Sequence, residues 1–314
     1  MTARPTLAVV RSRQEERARK GRLTGRKVSA KSLGFYTTAV QYFIWWLTLI
    51  GLVAAATNAE LDAQLCEYIE HLYEAGLGHN HAGYAISGAQ HFLQTPRNTF
   101  TRAWQLLTIW KRDEAPRQAP PMSVQIAVAM VSAALFNGWV DMGGLLAVGF
   151  ACLLRTTEMI LLEVSAVEFT RGNKGVRVIL ESTKMTKRGR AAESVYTEDP
   201  LAVRMLSQAI EAATRAGRTS ILQGNAFSFR TRFKKLLQQV GLPDAGYTPY
   251  SIRRGGATHL WQNTLCMDAV MEAGRWASLR TARVYVKAAE ASMRAANLPE
   301  ERSEVLVRWG LRLL

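Results

Sequence analysis

The alternation of apolar and polar positions predicts a mainly α-helical chain with a small antiparallel β-sheet in its second half. Between residues 32 and 59 there is no charged side chain, and apolar residues recur every three or four positions, as on one face of a helix. Ser29 or Ser32 can cap this helix. Three further helices are predicted at 58–75, 82–93 and 99–110. Together the four helices predict a compact N-terminal domain over residues 29–114.

A proline-rich segment at residues 115–122 is the predicted linker to a second domain. Pro116, Pro120 and Pro121 cannot continue a helix and favour an extended chain. Beyond it the pattern predicts helices at 123–137 and 140–155, short strands at 164–169, 176–180 and 194–197, and helices at 200–216 and 225–240. We therefore expect an α+β domain over residues 123–298, followed by an amphipathic C-terminal helix at 299–314.

The charge of the chain indicates a polyanionic partner. Its 314 residues carry a formal net charge of +15, with a pI near 10.1. Residues 1–31 contain ten basic and two acidic side chains and predict a flexible basic arm at 1–28, either disordered or weakly helical. Residues 32–115 have a net charge of −3, so most of the remaining positive charge lies in the second domain. The alternative, charge that serves solubility alone, usually mixes the two signs more evenly.

Cysteine and histidine usage predicts neither a disulfide framework nor a metal site. Cys66, Cys152 and Cys266 are isolated, which is typical of a reducing compartment. The pair His79 and His81 lacks a third ligand. We expect a protein without a metal cofactor in a reducing compartment, the cytoplasm or the nucleus. A membrane helix within residues 32–59 is the alternative, but its threonines and one-sided apolar stripe favour a helix packed on a core.

The residues that could carry chemistry are concentrated between Thr248 and Tyr285. A Tyr250-Ser251-Ile252-Arg253 element is followed by Gly274-Arg275-Trp276, and Tyr285 lies nine positions after the tryptophan. Upstream, Arg155 follows an apolar run and precedes Glu158 by three residues, for which a structural ion pair is the simplest interpretation. Taken singly, Trp276 is explained as a core anchor and Tyr285 as a half-buried aromatic.

In their order and spacing these elements resemble the tyrosine recombinases, the phage integrase family. That family has an H-x-x-R element, a G-[HK]-[HW] element and a nucleophilic tyrosine nine residues further on. The segment LLRTTEMILLEV is similar to its G-L-R-x-x-E-x-x-x-L element, and residues 29–114 resemble its SAM-like core-binding domain. Tyr250 departs from the pattern because it stands where histidine is usual.

The resemblance implies an enzyme that cleaves and rejoins DNA through a 3′-phosphotyrosine intermediate, without metal. It implies that Tyr285 is the nucleophile and that Arg155 and Arg253 clamp the scissile phosphate. Trp276 is expected to donate a further hydrogen bond to that phosphate. A phenol with a pKa near 10 is a poor base, so we expect Tyr250 to donate a hydrogen bond to a phosphate oxygen.

Two further roles follow from the same resemblance. Glu158 is expected to support Arg155 from behind, and Lys184, at the start of a basic turn, to act as general acid. The alternative for Lys184 is a contact with backbone phosphate that involves no chemistry. Seven basic residues are expected to contact the DNA: Lys187, Arg188, Arg230, Arg232, Lys234, Arg254 and Arg275. For Arg254, Arg275 and the basic residues of the 225–240 helix, solvated surface charge is the simpler reading.

We therefore expect a site-specific recombinase, the integrase of a mobile element. Its partner is double-stranded DNA, bound by a homo-tetramer with one dimer per site, and the C-terminal helix is expected to dock on a neighbouring protomer. A catalytically weakened relative that binds DNA without forming an adduct is one alternative. A topoisomerase-like relative that relaxes supercoils without strand exchange is another.

Overall fold

The computed structural model describes residues 7–20, 28–96, 98–114, 118–180 and 193–313. The chain divides into two compact units, Met1–Arg117 and Gln118–Leu314, and the division falls within the segment predicted as linker. The described residues are mostly helical and include one three-stranded antiparallel sheet, which confirms the predicted fold class. Each unit has its own hydrophobic core.

Five helices form the N-terminal unit in the described residues: α1 Leu7–Lys20, α2 Ala30–Leu49, α3 Asn58–Glu74, α4 His79–Phe92 and α5 Thr101–Asp113. Ser29 caps α2 by accepting a hydrogen bond from the Ser32 amide, as predicted. The arm, which was expected to be disordered or weakly helical, is helical over the range of α1, whose sequence contains arginine, glutamate and alanine, all good helix formers. Helix α4 begins three residues earlier than predicted, because extended Gly78 serves as its N-cap.

Leucines, aromatics and alanines from α2 to α5 form the N-terminal core. Leu65, Ile86 and Leu107 are among its fully buried side chains. The carboxylate of buried Asp62 accepts hydrogen bonds from the amides of Arg102 and Ala103, and so binds the N-terminus of α5. No helix in the part of the chain that the structure describes is long and apolar enough to cross a membrane.

The C-terminal unit contains ten helices and three strands in its described residues. They are α6 Val124–Phe136, α7 Val140–Ala151, α8 Thr156–Ile160, β1 Val167–Phe169, β2 Val176–Leu180, β3 Glu193–Thr197, α9 Pro200–Arg215, α10 Ala226–Gln239, α11 Pro249–Thr264, α12 Met267–Gly274, α13 Leu279–Tyr285, α14 Ala288–Ala296 and α15 Glu300–Leu311. The sheet order is β1-β2-β3, and Val178 pairs with Val167 on one side and Val195 on the other. The predicted first strand is shorter, because Val164–Ala166 forms a 3₁₀ turn.

Helix α7 lies at the centre of this unit and ends earlier than predicted. Gly144 allows α7 to approach α9 closely, since a Cβ atom there would lie 2.7 Å from the Cβ atom of Ala209. The predicted helix 140–155 stops at Ala151, because Leu153 adopts a left-handed conformation with φ of 49°. The chain therefore turns, and Arg155 lies in a loop as the N-cap of α8.

The C-terminal helix α15 packs on α6 of its own chain. Leu306 is buried, the indole of Trp309 donates a 3.2 Å hydrogen bond to the Gln239 carbonyl, and its ring contacts Phe136 edge-on at 5.5 Å. Within the single chain the helix thus packs in cis, and its docking on a neighbouring protomer stays a prediction.

Candidate active site

Helix α11 carries Tyr250 and Arg253 of the candidate site. Thr248 and Ser251 form a capping box, and Pro249 occupies the first turn, where its missing amide hydrogen has no cost. Two glycines then let the helix pack backbone against backbone. A Cβ atom on Gly255 would lie 2.0 Å from the Met122 carbonyl oxygen, and one on Gly256 would lie 2.1 Å from that of Phe150. This close packing carries the neighbouring arginine pair into the interior.

Arg253 is the most deeply buried cation of the site, with 1 % of its surface exposed. Its guanidinium donates to the carbonyl oxygen of Leu153 and, at 2.6 Å, to that of Gly274. It also lies over the rings of Trp276 and Tyr285, at 4.7 and 5.3 Å from their centroids. Its Nε atom is buried and has no hydrogen-bond partner among the described residues.

Glu158 connects Arg155 and Arg275. One carboxylate oxygen lies 2.5 Å from Arg155 Nη1, and the other accepts from the Arg155 amide at 2.7 Å and from Arg275 Nη2 at 2.8 Å. The ion pair considered for Arg155 on sequence grounds is therefore present. Arg275 is buried and has a left-handed backbone with φ of 57°, which is uncommon for any residue except glycine.

The charges of this cluster do not balance. Among the described residues, three guanidiniums, those of Arg155, Arg253 and Arg275, lie near one carboxylate, that of Glu158. Desolvation, reinforced by the two neighbouring guanidiniums, lowers the pKa of Arg253 to about 10. Burial opposes ionisation of Glu158, but Arg275 and the hydrogen bonds from Arg155 outweigh it and lower the pKa of its carboxyl. An anion of the size of a phosphate group would complete the cluster.

Two phenols meet at the edge of this cluster. The Tyr250 hydroxyl donates a hydrogen bond to the Tyr285 hydroxyl, and the Tyr285 ring lies on Trp276 with centroids 4.3 Å apart. Burial and the hydrogen bond to Tyr285 raise the pKa of Tyr250 above its ordinary value. Tyr250 is therefore held as a protonated donor that faces the oxygen of Tyr285, a contact that the sequence did not reveal.

The structure brings together six of the predicted site residues: Arg155, Glu158, Tyr250, Arg253, Trp276 and Tyr285. The predicted general acid Lys184 and the predicted DNA contacts Lys187 and Arg188 lie outside the described residues. In the described part of the chain, no group of three or more His, Cys, Asp or Glu side chains is arranged to hold a metal ion.

The remaining predicted DNA contacts separate into two groups. Arg230 and Lys234 are exposed on α10. Arg232 instead donates to both carboxylate oxygens of Asp141 at 2.9 Å and to the Gln223 carbonyl at 2.7 Å. Arg254 and Arg275 are also buried and bonded within the fold, the first to the Val284 carbonyl and the second to Glu158. Sequence reasoning missed the contacts with Val284, Asp141 and Glu158 because these partners lie 30, 91 and 117 residues away along the chain.

Comparison with known proteins gives one family and one fold. Residues 140–292 match the model of the phage integrase family. The fold resembles the Tn1549 transposon integrase in complex with transposon right end DNA, with 13% identity, 87% of this chain and 95% of that chain covered, and a TM-score of 0.59. No curated protein matches the sequence.

Two further solved structures share the fold. A lambda integrase dimer bound to a COC′ core site matches with 13% identity, 85% of this chain and 92% of that chain covered, and a TM-score of 0.57. XerH site-specific recombinase bound to its difH substrate matches with 12% identity, 87% and 77% covered, and a TM-score of 0.54. At these identities the likeness concerns the fold.

Proposed function

We propose that the chain, of which residues 140–292 match the phage integrase family model, is a DNA strand transferase of the tyrosine recombinase type. In this proposal it cleaves double-stranded DNA through a 3′-phosphotyrosine on Tyr285 and rejoins the ends in site-specific recombination. The observation that carries the proposal is the surplus of guanidinium charge around Arg253, which lies over the ring of Tyr285.

The chemistry of a phosphodiester explains why this cluster suits it. The nucleophile must approach an anion, and negative charge grows on the non-bridging oxygens in the transition state. Guanidiniums fixed in place before reaction stabilise that charge without reorganisation. Arg253 is held by two main-chain carbonyls and Arg155 by Glu158, so both are oriented before DNA arrives. Trp276 supplies a further N–H donor for the same phosphate in this proposal.

The covalent step exchanges one phosphate ester for another. The oxygen of Tyr285 forms a bond to phosphorus while the bond from phosphorus to the 5′ oxygen breaks. We propose that Lys184 gives a proton to the departing oxygen, since a protonated leaving group departs more readily. Rejoining is the reverse step, in which a 5′ hydroxyl attacks the phosphotyrosine, so no external energy source is required.

The role proposed for Tyr250 differs from the one expected from the sequence, which was a hydrogen bond to a phosphate oxygen. Because its hydroxyl donates to Tyr285 and its pKa is raised, it stabilises the oxygen of Tyr285 as negative charge develops there. It is therefore a donor to the nucleophile, and in this proposal the proton of Tyr285 is released to solvent water. In this proposal Tyr250 replaces the usual histidine by a group that does not act as a base.

The proposed substrate and assembly follow the DNA complexes to which the fold is similar. The chain has a net charge of +15, which suits a DNA partner. We propose that one dimer binds each target site and that two dimers form the recombining tetramer, as the integrase of a mobile element in a DNA-associated compartment.

Covalent capture tests the proposed function. The protein and the Tyr285→Phe variant are mixed with a library of nicked duplexes that includes the DNA flanking the gene, and the products are resolved under denaturing conditions. An adduct with the native protein and none with the variant is expected. If both proteins bind DNA and neither forms an adduct, the chain is a weakened relative. Relaxation of supercoiled DNA without strand exchange favours the topoisomerase-like alternative.

A further inference from the structure

The nucleophile lies at the end of a short helix whose last carbonyls need partners. Helix α13 has seven residues and ends at Tyr285, after which Val286 is extended. The last carbonyls of a helix have no partner within the helix. Two buried side chains of α11 supply partners for the final two carbonyls of α13.

Arg254 and Thr258 make these contacts. Arg254 Nη2 donates to the Val284 carbonyl at 3.1 Å, and the Thr258 hydroxyl donates to the Tyr285 carbonyl at 3.4 Å. The same hydroxyl accepts from the Lys287 amide at 3.2 Å. Both side chains belong to residues that are only 2 % exposed, and they lie one turn apart on α11. These three hydrogen bonds thus hold the main chain before and after the Tyr285 side chain.

The position of Arg254 is chemically suited to this task. A guanidinium at a helix C-terminus is favoured by the negative end of the helix dipole. Burial lowers the pKa of Arg254, while Glu290 and the two phenols of the site raise it. Its Nη2 atom donates to the main chain of α13. The charge that was predicted to contact DNA therefore lies inside the fold.

We propose that Arg254 and Thr258 are positioning residues that hold the Tyr285 hydroxyl against Tyr250 and the phosphate clamp. The inference rests on the proposed function and concerns the geometry of its nucleophile. Helix α11 then serves three purposes along its length. Tyr250 contacts the nucleophile and Arg253 contacts the phosphate. Arg254 and Thr258 hold the main chain that bears the nucleophile. A displacement of about 1 Å at such a position lowers a rate by about 100-fold.

Thr258→Val tests the inference, because it keeps the shape of the side chain and removes both hydrogen bonds. Single-turnover cleavage at saturating DNA is expected to fall by about 10- to 100-fold, with an unchanged Kd for DNA. Thr258→Ser is expected to restore the rate to within about threefold, since it keeps the hydroxyl. A native rate in the valine variant would overturn the proposal.

Thr264→Val is the matched control at the other end of α11. The Thr264 hydroxyl also donates to a main-chain carbonyl, that of Leu260, and accepts from an amide, that of Cys266, but it does not contact α13. Its loss is expected to leave the cleavage rate unchanged. Equal defects in the two valine variants would show a general weakening of α11 and would overturn the specific role of Thr258.

A substrate with a sulfur atom at the 5′ bridging position separates nucleophile placement from leaving-group chemistry. Such a thiolate departs without a proton donor, so it rescues the loss of a general acid but not a displaced nucleophile. The defect of Thr258→Val is expected to persist on this substrate. Full rescue would overturn the proposal.

Hydrogen exchange tests, independently of catalysis, whether Arg254 and Thr258 hold the end of α13. The Lys287 amide is bonded to the Thr258 hydroxyl, so peptides that cover this amide are expected to exchange at least about tenfold faster in Thr258→Val. Arg254→Met is expected to loosen the same peptides, and Thr264→Val is not. If the native protein forms no adduct, the proposed function fails, but the exchange rates still test whether Arg254 and Thr258 hold α13. Unchanged exchange in both Thr258→Val and Arg254→Met would contradict that positioning role.

Discussion

Helices α10 and α11 both look basic in the sequence, but the structure uses their charges in opposite ways. On α10 the apolar residues Phe229 and Phe233 face the core, and Arg230 and Lys234 are left in solvent. On α11 the arginine pair is turned inward, with Arg253 1 % exposed. An exposed charge needs no partner, whereas a buried one does. In the proposed function, burial combined with unbalanced charge marks the place of reaction, because the largely buried Arg232 of α10 is neutralised by Asp141.

The difference arises from the two glycines that follow the arginine pair of α11. Gly255 and Gly256 allow α11 to press against the main chain at Met122 and Phe150, which draws Arg253 and Arg254 into the interior. Helix α10 has no glycine and keeps an ordinary amphipathic spacing. The comparison yields four predictions, in order of the size of the expected effect.

Arg253→Lys is expected to have the largest effect. Lysine keeps the charge but loses the planar fork that holds two carbonyls and a phosphate, so single-turnover cleavage should fall by about 100- to 1,000-fold. Arg230→Lys, the same change on the exposed helix, should leave the rate unchanged. Similar losses in the two variants would remove the distinction between α10 and α11.

Substitution of Tyr250 should have the next largest effect. Tyr250→Phe removes the donor to Tyr285 and is expected to slow cleavage by about tenfold, the value of one hydrogen bond to a developing charge. Tyr250→His should remain within about tenfold of the native rate. A gain of several orders of magnitude with histidine, in the same gel assay of adduct formation, would show that the native protein is a crippled enzyme.

Glu158→Gln is expected to lower stability by about 1–3 kcal/mol near neutral pH, because Arg275 is left buried without its counter-charge. The folded pKa of Glu158 lies below its unfolded value near 4.3. Its contribution to the free energy of unfolding is therefore complete above that value and lost as the pH falls through the folded pKa. Urea unfolding at pH 7 and at a pH below the folded pKa of Glu158 measures this, and the two proteins should converge at the lower pH. A constant difference would contradict the pKa shift.

The double variant Arg230→Gln, Lys234→Gln should have the smallest effect. If each side chain contacts one phosphate, the slope of log K against log salt concentration should become about 1.8 less steep. Cleavage at saturating DNA should stay the same. A slope equal to that of the native protein would show that the exposed face of α10 does not lie on DNA.

The fold class could be predicted from the sequence, because hydrophobic periodicity is a local property. The resemblance to the tyrosine recombinases singled out the six residues that the structure brings together, and their roles stay predictions. The end of α7 was placed wrongly, since the apolar run continues through the left-handed turn at Leu153 and hides it. Arg254 and Arg275 were assigned to DNA because a sequence shows charge but not burial. The contact between Tyr250 and Tyr285 joins residues 35 positions apart, and only the packing of α13 on α11 reveals it.

The most direct measurement of the central claim is the identity of the residue that carries the DNA. The captured adduct is digested with nuclease and protease, and the modified peptide is sequenced by mass spectrometry. We expect a 3′-linked nucleotide on Tyr285. A nucleotide on Tyr250, whose hydroxyl adjoins that of Tyr285, or on any other residue would contradict the assignment of the nucleophile.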